Sequence, residues 1–292
     1  MPANLRATRR KVRTVQNIRQ ITRAMKMVAA AKLKRVQSQV ENGRVYWDRL
    51  DDIIGRVARH AGDASHPFLE PGAGEAVGVV VIGGARGLCG SYNVTLLRHA
   101  QEFVDRTMSQ GPVKLTTVGA KPEQFFHSRR YQIAESFSTP DEAHRLAQAT
   151  EISRMLRDDF LSGRVSRVHA VYTEFRTAIS RTSMDRQLLP VESPVDEDEE
   201  EGAGGAGYIF EPPAEELLGS LLPRAVDAAV YRMILSSAAS EEGARMAAMS
   251  TATENAEELI VQLTRDLNRA RQTLITTELL EVIAGADALM SE

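Results

Sequence analysis

Ile18-Arg19-Gln20-Ile21-Thr22-Arg23-Ala24-Met25-Lys26-Met27-Val28 is the stretch on which the reading of this chain turns. Ile18, Ile21, Met25 and Val28 recur at 3-4-3 spacing, and Leu33, Val36 and Val40 continue the stripe with a one-residue drift. That is the pattern of a coiled-coil seam, and it predicts that these side chains are buried. Outward from this stretch no proline interrupts the chain between Pro2 and about residue 58. A single helix of about 55 residues, roughly 80 Å long, is expected, with Gly43 as its weak point. It should end near His60–Gly62, where Pro67, Pro71, Gly72 and Gly74 mark a linker. Eleven Lys and Arg precede the first acidic residue, Glu41.

The other end mirrors this one. From Glu241 to Glu292 there are ten carboxylates against four arginines. Pro212 and Pro213 are expected to open a helix and Pro223 to restart it, with no proline after that to about Leu289. Met249, Ala252, Ala256, Leu259, Leu263, Leu267, Ala270 and Leu274 form its stripe. Some 65 residues then reach about 100 Å. The opposite charges of the two ends fit an antiparallel pair, although the apolar seam must supply most of its stability. Beyond Leu274 the helix is apolar nearly all round, through Ile275, Leu279, Leu280, Val282, Ile283, Leu289 and Met290. A helix apolar all round is a buried one. A tip so far from its own domain must be surrounded by something else.

The middle changes period. Ala76–Ile82 reads as a strand buried on both faces. A glycine-rich turn, Gly83–Gly90, and a helix to about Thr107 follow, then a strand at Val113–Val118 and a helix around Pro122–Arg130. Thr139-Pro140-Asp141-Glu142 is expected to start a helix that runs to about Leu161, with Val165–Phe175 as a third strand and Tyr208–Phe210 as a possible return to the sheet. Strands alternating with helices argue an α/β class, with a Rossmann-like central domain between the two helices of a long antiparallel coiled coil. The expected limits are 1–60 for the N-terminal shaft helix, 75–211 for the central α/β domain and 212–292 for the C-terminal shaft helix. A domain of about 150 residues has a radius of gyration near 15 Å and cannot cover such helices. Asp196–Glu201 and Gly202–Gly207 read as a solvated loop.

Composition excludes several functions. A single cysteine, Cys89, allows no internal disulfide. No run of 18 apolar residues exists to cross a bilayer, and no secretory h-region is present. The Arg-rich start invites comparison with a mitochondrial presequence, but such segments are Ser-rich and the first serine is Ser38. The spacing of Gly83–Gly90 is neither G-x-G-x-x-G nor a P-loop, so it reads as a tight strand-to-helix turn with no nucleotide cofactor. Six histidines are scattered without metal spacing. The basic helix lacks interleaved aromatics, and its apolar stripe should be covered, so no nucleic acid is expected.

Several motifs occur in the order known from one family. Gln20-Ile21-Thr22-Arg23-Ala24-Met25-Lys26-Met27-Val28-Ala29 closely resembles the N-terminal helix motif of the gamma subunits of rotary F-type ATP synthases. Arg86-Gly87-Leu88-Cys89-Gly90-Ser91-Tyr92-Asn93 resembles their central turn. Arg245-Met246-Ala247-Ala248-Met249, Ala252-Thr253-Glu254-Asn255-Ala256 and Asn268-Arg269-Ala270-Arg271-Gln272 follow, and the segment from Ile275 to Ala286 is similar to the family's C-terminal signature. The resemblance runs end to end. Ser91 replaces a usual glycine, Leu267 a frequent aromatic, and the single Cys89 excludes the regulatory cysteine pair of plant-type members.

The resemblance implies a central-stalk rotor that couples hydrogen-ion or sodium-ion transport through a membrane c-ring to ATP synthesis. The shaft would turn inside a hexamer of alpha and beta subunits, in the F1 or CF(1) sector. The central domain would face the epsilon subunit and the ring. Catalysis would belong to the beta subunits, and the chain would lie peripherally on the cytoplasmic face of a bacterial inner membrane. Carried over by motif, Met25 and its neighbour Lys26 resemble the place where the shaft meets the beta-subunit lever. Arg245, Gln272, Thr276 and Glu278 resemble positions that support coupling or contact the hexamer. The competing reading is a coiled-coil adaptor without rotary function, and a small α/β enzyme with helical arms is a third.

Overall fold

A computed structural model describes residues 3–60, 66–177, 180–191 and 211–290. The Asp196–Glu201 run and the Tyr208–Phe210 segment lie outside them. The chain opens with α1 (Ala3–His60) and closes with α5 (Ala214–Met290). Between them come β1 (Ala76–Ile82), α2 (Tyr92–Met108), β2 (Val113–Val118), α3 (Ala120–Ser128), β3 (Ile133–Phe137), α4 (Arg145–Leu161), β4 (Val165–Phe175) and β5 (Arg181–Leu189). Two compact units result: residues 1–29 with 246–292, and residues 30–245.

The larger unit is an α/β/α sandwich. Strand order is β3-β2-β1-β4-β5, with the first four parallel and β5 antiparallel at the edge. This is a doubly wound arrangement whose direction reverses between β1 and β4. The apolar run of β1 divides by parity. Val80 and Ile82 join Val168, Ala170 and Tyr172 of β4 under α1, α4 and α5. Val79 and Val81 join Leu115 and Val171 under α2 and α3. Burial on both faces is why β1 lacks alternation.

Two strands are not visible in the sequence pattern. β3 (Ile133-Ala134-Glu135-Ser136-Phe137) is an edge strand exposed at its three central residues. β5 carries Arg, Asp and Gln because it too is an edge, and only Leu188 and Leu189 are buried. Edge strands need no two-sided apolar pattern. The expected helix start at Thr139-Pro140 is also displaced, since α4 begins at Arg145. Asp141 caps a separate turn instead, accepting from the His144 backbone N–H at 3.0 Å and pairing with its ring Nδ1 at 2.6 Å.

Pro223 does not restart α5 but lies inside it. The ring of an internal proline meets the carbonyl four residues back. Here that residue is Gly219, which is exposed, so water can take the orphaned carbonyl. Leu218, Leu222 and Val226 are buried against the sheet and hold the helix through the defect. Gly43, the weak point of α1, has its own reason. A Cβ there would stand 2.5 Å from the Trp47 ring, which is buried and meets Tyr231 edge-on at 6.3 Å. Gly43→Ala should therefore destabilise this unit by about 1 kcal/mol even though alanine is the better helix former, because overpacking outweighs propensity. A lower urea midpoint, read on the sole tryptophan, is the expected result.

The smaller unit pairs the start of α1 with the end of α5. The Thr253 hydroxyl donates to Thr22 Oγ1 at 2.8 Å, and Lys26 Nζ donates to Ser250 Oγ at 3.0 Å. As α1 advances from 22 to 26, α5 retreats from 253 to 250, so the helices are antiparallel. The seam differs from the predicted one. Ile18, Ile21 and Val28 are 46%, 59% and 56% exposed, while Thr22 and Ala29 are buried and Met25 is half-buried. The buried line is shifted by one residue, about 100° around the helix. Small side chains at Thr22 and Ala29 let the backbones approach, and Met249 and Ala256 are the buried positions on α5. The α5 stripe follows expectation through Ala252, Leu263, Leu267 and Leu274, all half-buried, whereas Leu259 and Ala270 are exposed.

Candidate functional site

The glycine turn after β1 meets α5 within the larger unit. A Cβ on Gly84 would stand 2.9 Å from Asn93 Oδ1 and 3.0 Å from the Glu241 carboxyl carbon. The chain's own carboxylate thus packs against the glycine turn, where its charge opposes a phosphate. Arg245 holds that carboxylate through its Nη2, and its Nη1 reaches Glu242 Oε1 at 2.7 Å. Lys32 of α1 adds a long contact to Glu242 at 3.9 Å. Glu241 and Arg245 are 9% and 8% exposed, so this is a buried charge network and not a surface pair. Burial opposes the Arg245 charge, but Glu241 and Glu242 outweigh it and raise its pKa above the usual arginine value.

The neighbouring groups are held neutral. Burial pushes the Tyr92 hydroxyl up, and the charge of Glu241 adds to this, while the hydroxyl donates to the Ser237 carbonyl at 3.2 Å. Burial and Glu241 likewise raise the Cys89 thiol, whose Sγ accepts from Asn93 Nδ2 at 3.2 Å. A thiol so placed is a packed side chain and a poor nucleophile. Among the described residues no group of three or more metal-binding side chains gathers. No described helix is long and apolar enough to cross a membrane.

The remaining candidates lie in the smaller unit. Lys26 is exposed and bound to Ser250, whose hydroxyl in turn donates to Glu254 at 3.0 Å. Gln272, Thr276 and Glu278 are exposed, and the Thr276 hydroxyl donates to the Gln272 carbonyl one turn back. These three share the last stretch of α5 and are not gathered around Met25 and Lys26. Arg245 belongs to the other unit.

At the tip, Ile275, Leu279, Leu280, Val282 and Ile283 are 48%, 57%, 61%, 69% and 55% exposed. Five apolar side chains in nine residues, bare on all sides, are unusual for a helix in water. The chain's own described residues do not cover the tip, as the sequence predicted. Among the described residues the expected charge match between the ends is realised only in the long Lys32–Glu242 contact. Arg6, Arg9, Arg10, Lys11, Arg13, Arg19 and Arg23 make no ion pair among the described residues. The exposure of Ile18, Ile21 and Val28 also withdraws burial as a reason against nucleic acid, leaving the lack of aromatics.

Sequence reasoning passed over Glu241, Glu242 and Lys32. The signal was present in Glu241-Glu242-Gly243-Ala244-Arg245, where acids stand four and three residues before an arginine on one helix face.

The family model described as ATP synthase matches residues 4–289. The ATP synthase gamma chain of Desulforamulus reducens is 42% identical over 98% of this chain and 99% of its own length. That of an Anaeromyxobacter species is 43% identical over 99% and 100%. Among solved structures, a chain of the Tetrahymena thermophila mitochondrial ATP synthase central stalk and c-ring is 25% identical with a TM-score of 0.58, over 80% of this chain and 99% of that one. A chain of the Euglena gracilis enzyme, in its OSCP/F1/c-ring assembly, shares the fold at 21% identity and a TM-score of 0.68, over 98% and 94%. The chain belongs to the ATP synthase gamma-chain family.

Proposed function

We propose that this chain is the central-stalk rotor of an F-type ATP synthase, coupling ion passage through a membrane ring to ATP synthesis or hydrolysis in a hexamer of alpha and beta subunits. The observation that carries the reading is the bare apolar tip of α5, on a unit made only of the chain's two ends. A sleeve of other subunits supplies the burial that the chain itself lacks. The cations from Arg6 to Arg23, which form no ion pair among the described residues, and exposed Ile18, Ile21 and Val28 on α1 suit the same surroundings. The α/β unit faces the epsilon subunit and the ring.

The chain has no active site in this reading, and nucleotide chemistry belongs to the beta subunits. Its own carboxylate, Glu241, lies against the glycine turn and opposes a phosphate there. Its place is the cytoplasmic face of a bacterial inner membrane, held by its partners. Met25, Lys26, Gln272, Thr276 and Glu278 contact the hexamer, and Arg245 contributes by holding α5 against the glycine turn.

Removal of everything after Arg271 tests this. The truncated chain should keep the thermal transition of the α/β unit, reported by Trp47, and lose the tendency of the isolated full chain to associate. Assembly with alpha and beta subunits should weaken or ATP-driven ion pumping should fall. Collapse of the α/β unit on truncation, or a full chain that stays monomeric by light scattering at high concentration, would count against the sleeve.

A further inference from the structure

One cavity in the α/β unit takes no part in any of this. It lies between α1, the β4–β5 edge and α5 and measures about 160 Å³. Trp47, Leu50 and Ile54 of α1, Leu188 of β5 and Met233 of α5 form its walls, and all five are buried. An apolar cavity of about this size accommodates one benzene ring.

Its rim is charged. Asp51, Arg186 and Arg232 stand there, and all three are exposed. Two cations and one carboxylate leave the rim net positive. Neither arginine forms an ion pair among the described residues. The Arg232 guanidinium carbon lies 6.0 Å from the centre of the Trp47 ring. Partial enclosure at the rim raises the Asp51 carboxyl, and Arg232 and Arg186 only partly offset this.

We propose that this cavity binds a small amphiphilic anion, a carboxylate carrying one aromatic ring or a short branched alkyl group. The apolar body rests on Trp47, Leu50 and Met233, and the carboxylate sits between Arg186 and Arg232, whose planar forks suit it. Asp51 opposes the anion and limits its affinity. The site is wholly within the α/β unit, so its occupancy does not depend on rotation.

Trp47 is the only tryptophan, and it reports this cavity directly. The full chain at low micromolar concentration is titrated with benzoate and, separately, with benzylamine. Benzoate should change Trp47 emission saturably, with a Kd on the order of 1 mM for a ligand so small. Arg232→Gln should raise that Kd about tenfold. Asp51→Asn should lower it about threefold, a gain that misfolding cannot imitate. Ala229→Leu should fill the cavity and abolish the response. No saturable change with benzoate, an equal affinity for benzylamine, or an unaltered Kd in Ala229→Leu would each overturn the proposal.

Discussion

Arg245→Ala is expected to destabilise the α/β unit by about 3–5 kcal/mol, the range for breaking a buried ion pair by removing one partner. The guanidinium satisfies Glu241 and Glu242 together, and Glu241 is 9% exposed. Without it a buried carboxylate is left beside Gly84 and Tyr92, with only the distant Lys32 contact to Glu242 remaining. For a unit of this size the melting temperature should fall by about 10 °C, at roughly 2–4 °C per kcal/mol. Trp47 lies in the same unit, so its fluorescence follows the transition. Arg245→Lys should cost less, since one cation survives without the fork that serves two acids. The decisive comparison adds Glu241→Gln to Arg245→Ala. Neutralising the orphaned acid should recover part of the loss. If the double variant is no more stable than Arg245→Ala, lost packing and not the buried charge sets the cost.

Met25→Lys should separate ATP hydrolysis from ion pumping. Met25 is half-buried at the side of the seam, next to exposed Lys26 and two residues from exposed Arg23. A third cation there can pair with a carboxylate of the surrounding hexamer. Such a pair contributes on the order of 1–3 kcal/mol if desolvated, enough to hold one rotary angle about five- to 150-fold longer than the others. Hydrolysis then continues while pumping falls. Both activities are measured side by side in reconstituted vesicles. Glu278→Gln should show only a graded loss, because it is one of several exposed positions on α5 that we propose meet the hexamer. An equal decline of both activities with Met25→Lys, in proportion to lost assembly, would reduce Met25 to a packing residue.

The two results differ in kind because the two units do. In the α/β unit a buried network turns one side chain into several kcal/mol. In the helix pair the seam is made of small groups such as Thr22, Ala29 and Ala256, and most charges face outward. Stability is concentrated in the first, and the exposed side chains that we propose meet other subunits are spread along the second.

The amino-acid order alone determined α1, the course of α5 beyond Pro223, the α/β class, the three core strands and the apolar character of the tip. Each depends on a local period or a composition that no tertiary detail can reverse. Proline spacing bounded α1, β-branched runs marked β1 and β4, and the all-round apolar character of 275–290 was a property of the segment itself. Edge strands β3 and β5 were not legible, because an edge needs a neighbour's hydrogen bonds more than an apolar pattern. Which face of α1 is inside was decided only by the packed pair. Ile18, Ile21 and Val28 outrank Thr22 and Ala29 in hydrophobicity, yet close approach of two backbones selects the smaller side chains. The continuity of α5 through Pro223 likewise came from tertiary burial of Leu218, Leu222 and Val226. The Glu241–Arg245 network needed both levels. Its spacing was in the chain, but the desolvation that makes it costly to break exists only where α5 crosses the glycine turn.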